Sequence, residues 1–78
     1  MMWTEVRENY PNKIVLAEAL KTSSHNKIRS IEEMSILSVF QNSMDAWEEY
    51  KKVHKERPDK ELYILHTSRE KAEVVVEE

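Results

Sequence analysis

Neither glycine nor cysteine occurs among the 78 residues, and proline occurs only at Pro11 and Pro58. The missing glycine excludes phosphate-binding loops, dinucleotide folds and nucleophile elbows, all of which need it where the backbone turns sharply or touches a ligand. It also removes the EF-hand, whose loop turns on a glycine at its sixth position. Without cysteine there is no disulfide framework, thiolate zinc site, thiol nucleophile or redox pair. Long apolar runs are missing too: Ile14-Val15-Leu16-Ala17 is as long as any, against the roughly 20 residues needed to span a bilayer. The first residues, Met1 to Glu8, are charged and carry no apolar stretch of signal-peptide type, so a cytoplasmic protein with no membrane partner is expected.

What is present is the balance of a small globular domain, 40% hydrophobic and 35% charged, with a formal net charge of −3. This is too apolar for a disordered tail and too short for two cores, so residues 1–78 read as one domain. The negative charge gives no general attraction to nucleic acid, which would need a local basic patch.

Periodicity predicts α+β architecture. Trp3, Val6 and Tyr10 recur at helical spacing before Pro11, giving a short helix. Lys13 to Leu20 reads as a strand apolar on both faces, followed by a polar turn at residues 21–26. Lys27 to Phe40 is again extended, with alternation broken at Ile31-Glu32-Glu33-Met34, where a bulge is expected. Asn42 and Ser43 are helix caps with Asp45 in the first turn, and Ala46, Trp47, Tyr50, Val53 and His54 mark the apolar face of a long helix ending near Glu56. Leu62 to His66 reads as a further strand, Thr67 and Glu70 have capping-box spacing for a helical turn, and Val74-Val75-Val76 makes a candidate fourth strand. A β-β-α-β layout follows, in a sheet of three or four strands with the long helix on one face. The helical crossover from Phe40 to Leu62 places the first strand between the second and third.

The segments Tyr10-Pro11-x-Lys13-Ile14-Val15, Glu18-Ala19, Ala46-Trp47-x-x-Tyr50 and His66-Thr67 resemble those of a group of small uncharacterised bacterial proteins. That group has a Tyr-Pro-x-basic opening, an Ala-Trp-x-x-Tyr helix and a His-Thr after the last strand. The resemblance covers residues 10–70 and implies the same β-β-α-β layout; it carries no activity, and Ile14 stands where the group often has an aromatic.

Candidate chemistry is sparse. His25, His54 and His66 have none of the paired spacings of a metal site, so no metal and no cofactor are expected. Glu18, a carboxylate interrupting an apolar strand, and His66, ending another, would face each other across neighbouring strands as an acid/base pair in an enzymatic reading, with Thr67 or Ser68 as conceivable nucleophiles. The simpler reading makes Glu18 a strand-face charge paired with a base. Lys21, His25, Lys27 and Arg29, clustered at the hairpin tip, are candidates for anion or nucleic-acid binding, although no aromatic lies among them to stack on bases.

Counting faces points instead to association, and the chain reads as a non-enzymatic interaction module that forms a homodimer through its sheet. One long and one short helix would cover one side of a sheet that is apolar on both, leaving Ile14, Leu16, Leu20, Met34, Ile36 and Phe40 to meet a second copy. The strand ending at Phe40 exceeds its partner in length, so it should overhang as an edge strand, and residues 34–40 carry no charge or proline to discourage pairing. On this reading Ile36→Lys separates the dimer.

Overall fold

The computed structural model describes residues 1–76. The chain is α+β, running through α1 (Trp3–Asn9), β1 (Ile14–His25), β2 (Ile28–Phe40), α2 (Ser43–Glu56), β3 (Leu62–His66) and β4 (Glu73–Val75). The strands form one sheet of order β3-β1-β2-β4 in which every neighbouring pair is antiparallel. The expected β-β-α-β order is extended by a fourth strand, which falls at Glu73–Val75 beside the candidate Val74-Val75-Val76, and the helix expected to be long has 14 residues.

The β1–β2 hairpin dominates the molecule. β1 has 12 residues and β2 has 13, so they pair along their whole length, and the overhang expected of β2 does not exist. β1 continues through the polar segment 21–25 because the connection is only Asn26-Lys27, both with positive φ (50° and 65°), the conformation of a tight two-residue hairpin turn. Ser23 and Ser24 then pair with Ser30 and Arg29. Three register shifts interrupt the ladder, leaving Leu37, Leu20 and Glu32 as extra residues. The shift at Glu32 falls within the segment where broken alternation signals a bulge. Bulges bend a strand pair and increase its twist.

The bulges also decide the faces. Val15, Ala17 and Met34 line one side with Trp3, Val6, Ile31, Leu65 and Ala72, and Ile36 and Tyr63 pack at its margin. Trp3 and Val6 belong to α1, so this short helix plugs that face, anchored where Trp3 Nε1 donates to the carbonyl of Arg69 at 2.9 Å. On the other side Leu16 is fully buried opposite Ile64, and α2 packs across β1, β3 and β2 with Ala46 inward. The two helices therefore divide the faces between them.

α2 follows its sequence signals at both ends. Asn42 Oδ1 accepts from the amide of Asp45 at 2.9 Å, and Pro58 follows the C-terminal cap at Arg57. Its docking is light, however. Ala46 is buried and Tyr50 and Val53 are half-buried, whereas Trp47 is 51% exposed and stacks on Tyr50 with ring centroids 5.3 Å apart. Tyr50 in turn stacks on the exposed His54. The expected helical turn after Thr67 is replaced by turns and bends leading into β4.

Candidate functional site

The proposed contact residues Ile14, Leu16, Leu20, Met34, Ile36 and Phe40 do not share a face. Leu16 and Met34 are fully buried in the chain's own two cores, on opposite sides of the sheet, because the bulge at Leu37 reverses the alternation between Ser38, opposite Leu16, and Ile36, opposite Ala17. Leu20 is itself a bulge residue and is 58% exposed. Ile14 and Phe40 lie opposite each other at the end of the ladder, half-buried. A single apolar sheet face awaiting a partner is thus not what these residues build.

What remains open is an edge. β4 pairs only with Ile28, Arg29 and Ser30, and beyond it the amide of Ile31 donates to the carbonyl of Ala72 and that of Met34 to the carbonyl of Met1, both at 2.9 Å. β2 is therefore covered along its first half, in contrast to the free edge expected of it. From Ser35 to Phe40 no strand lies on the side away from β1 among the described residues. Leu37 and Val39, each 39% exposed, mark this segment. Among the described residues the outer edge of β3 also has no strand beside it, but it is shorter, and Leu62 and Leu65 there are buried.

The basic residues of the hairpin separate into two groups. Lys21 lies 3.7 Å from Glu32, an exposed pairing across the bulges and away from the tip. His25, Lys27 and Arg29 meet around a hollow of about 510 Å³ whose walls include Ser24, Asn26, Tyr63 and Val76. The Arg29 side chain, from β2, reaches past β1 to the residue that precedes β3. There its Nε and Nη2 donate to the two oxygens of Glu61, each at 2.7 Å, and Tyr63 Oη donates to Glu61 Oε2 at 2.8 Å. Arg29 Nη1 lies 3.3 Å from Ser24 Oγ. The bond from the guanidinium holds the Glu61 carboxyl below its ordinary range against the opposing pull of burial, and the Tyr63 hydroxyl lowers it further. Glu61 in turn raises Arg29. Burial, then the bond to Glu61, raises the Tyr63 phenol. Tyr63 is the aromatic that the hairpin tip lacks in sequence; it arrives from a strand more than thirty residues away, and only the fold brings it there.

Glu18 and His66 are not brought together. Along the regular β1–β3 ladder His66 stands opposite Ile14 and Glu18 opposite Leu62, which places them about 13 Å apart at 3.3 Å per residue. Glu18 pairs with Lys60 at 3.3 Å, and His66 Nδ1 accepts from the amide of Ser68 at 3.1 Å. Thr67 is buried and fully engaged by backbone groups. His54 lies on α2, apart from the other histidines, and no cluster of metal-ligating side chains occurs among the described residues. No helix among them is long and apolar enough to cross a membrane. Comparisons with protein-family models, with curated proteins and with solved structures find no match.

Proposed function

We propose that this chain is a non-enzymatic interaction module that forms a homodimer through its sheet, the contact being the open edge of β2 from Ser35 to Phe40. The observation that carries the reading is the state of that edge. Proteins protect free strands with charge, proline or a covering segment, because unpaired N–H and C=O groups template pairing with another chain. Here Ser35-Ile36-Leu37-Ser38-Val39-Phe40 has no charge and no proline, and no strand among the described residues pairs with its outer side. Its one protective feature, the bulge at Leu37, leaves a leucine partly in solvent.

A second copy fits this edge by symmetry. Antiparallel pairing about a twofold axis sets the segment against itself, and an uncharged segment meets no like charge there. The result is a continuous sheet of two β3-β1-β2 halves.

Sedimentation equilibrium at micromolar concentration tests the reading. The wild-type chain should run at about twice its 9.3 kDa mass, and Leu37→Lys, at an exposed position, should run at 9.3 kDa with an unchanged circular dichroism spectrum. A wild-type monomer, or a Leu37→Lys variant that remains dimeric, would overturn it. Ile36→Lys is the poorer probe, because Ile36 packs against the α1-side core and its loss perturbs the fold.

A further inference from the structure

The hollow beneath the hairpin turn sits at the opposite end of β2 from the open edge, so what it does is independent of dimerisation. We infer that it binds a small ligand that presents an oxyanion, a carboxylate or phosphate, beside a planar apolar body.

The cationic part of the hollow is prearranged. A guanidinium has five N–H donors. Three of those on Arg29 are directed at Glu61 and Ser24, which fixes the plane of the fork and leaves one hydrogen on each terminal nitrogen for a further acceptor. The bidentate grip means that little side-chain entropy is lost when an anion arrives. The contact to Ser24 Oγ, at 3.3 Å, is long for a hydrogen bond to a charged donor and is readily shared. Lys27, on the same rim, has no carboxylate within ion-pair distance among the described residues. His25 adds ring N–H donor capacity beside it.

The turn itself supplies a separate argument. Lys27 takes φ = 65°, a region in which a residue with a Cβ is strained and glycine is not. Asn26 tolerates that region through its short polar side chain, whereas lysine has no such compensation. Strained residues tend to stand where the side chain is used, as in ligand clamps. The aliphatic wall of Val76 and the ring of Tyr63, whose hydroxyl is tied to Glu61, provide the surface for the planar body. The hollow's volume lies within the range of small-molecule sites.

The test is a titration of the full chain with phenyl phosphate, followed by amide NMR shifts and calorimetry at fixed ionic strength. Saturable shifts confined to residues around Ser24, Lys27, Arg29 and Tyr63 are expected, with affinity several-fold above that for inorganic phosphate. Benzoate in place of phenyl phosphate separates a carboxylate-preferring from a phosphate-preferring site. Lys27→Gly removes the cation while relaxing the turn, so affinity should fall about tenfold in a protein at least as stable as the wild type. Tyr63→Phe, which keeps the ring, should retain the preference for the aryl compound. Absence of saturable shifts at the hollow, or equal affinity in Lys27→Gly, would overturn the inference. So would tight binding of a single-stranded oligonucleotide that is unaffected by Lys27→Gly, since the anion surface would then lie elsewhere.

Discussion

The hydroxyl of Thr67 donates to the carbonyl oxygen of Tyr10 at 2.7 Å and accepts from the amide of Lys13 at 3.0 Å, while the Thr67 amide donates to the Lys13 carbonyl at 2.8 Å. Arg7 Nε adds a bond to the Thr67 carbonyl at 3.0 Å. One side chain, 3% exposed, thus locks the end of β3 to the loop between α1 and β1. Two of the short motifs in the sequence, Tyr10-Pro11-x-Lys13 and His66-Thr67, are halves of one latch.

Replacing Thr67 with valine keeps the shape but removes both hydroxyl bonds, leaving a carbonyl and an amide without partners. A loss of about 1–3 kcal/mol in urea-denaturation stability is expected. Thr67→Ser keeps the hydroxyl and should recover most of it. Equal losses for the two variants would show that the methyl group, rather than the latch, is what matters.

The ion pair at the hairpin tip gives stability a defined dependence on acid. Glu61 titrates lower in the folded chain than in the unfolded one. As pH falls, the unfolded state therefore takes up the proton first, and folded stability is lost as pH passes from the ordinary carboxylate value of 4.5 down through the depressed one. Above that window the contribution is fully present. Denaturation midpoints measured from pH 6 to pH 3 should fall less steeply in Glu61→Gln than in the wild type, and identical slopes would rule out the coupling.

Helix α2 shows where sequence and structure agree and where they part. Its limits are legible because a capping asparagine and a following proline act locally. Which side chains it buries is not, because that depends on how lightly it docks. The stripe Ala46, Trp47, Tyr50, Val53 and His54 is wide enough to roll, and the helix settles on Ala46 with Trp47 and His54 outward. The same limit applies to the hairpin. Strand existence follows from composition, but each bulge reverses the faces beyond it, so Leu16 and Met34 read as neighbours and lie on opposite sides. The Arg29–Glu61 pair is invisible for a related reason: two of the register shifts lie between Arg29, opposite Ser24, and Ala19, whose amide donates to Glu61.

The rolled position of α2 predicts unequal costs on one turn of the helix. Trp47→Ala removes an exposed ring and one aromatic stack, worth about 0.5–1.5 kcal/mol, far less than the 3–5 kcal/mol typical of a core tryptophan. Ala46→Leu, at a fully buried position against the sheet, should cost about 1–3 kcal/mol through overpacking. Thermal denaturation of both variants checks the ranking, and a larger loss for Trp47→Ala would place the ring inside.

Deleting single residues tests the register directly. Leu37 is an extra residue: Ile36 stands opposite Ala17 and Ser38 opposite Leu16, adjacent positions on β1. Removing it joins those two pairs into a regular ladder and leaves Ser38, Val39 and Phe40 on the faces they already occupy. The variant should fold cooperatively, at a cost below about 2 kcal/mol within the chain, since no buried side chain changes face. Ile64 has no such slack, because its ladder with β1 runs without a shift from Leu62 opposite Glu18 to His66 opposite Ile14. Its deletion must reverse either Leu62 or Leu65, each of which is buried. A loss above about 4 kcal/mol, enough to unfold a chain of this size, is expected. Far-UV circular dichroism and urea titration of the two deletions distinguish them, and comparable damage from both would mean that Leu37 is a paired strand residue and that the alternation has been assigned to the wrong faces.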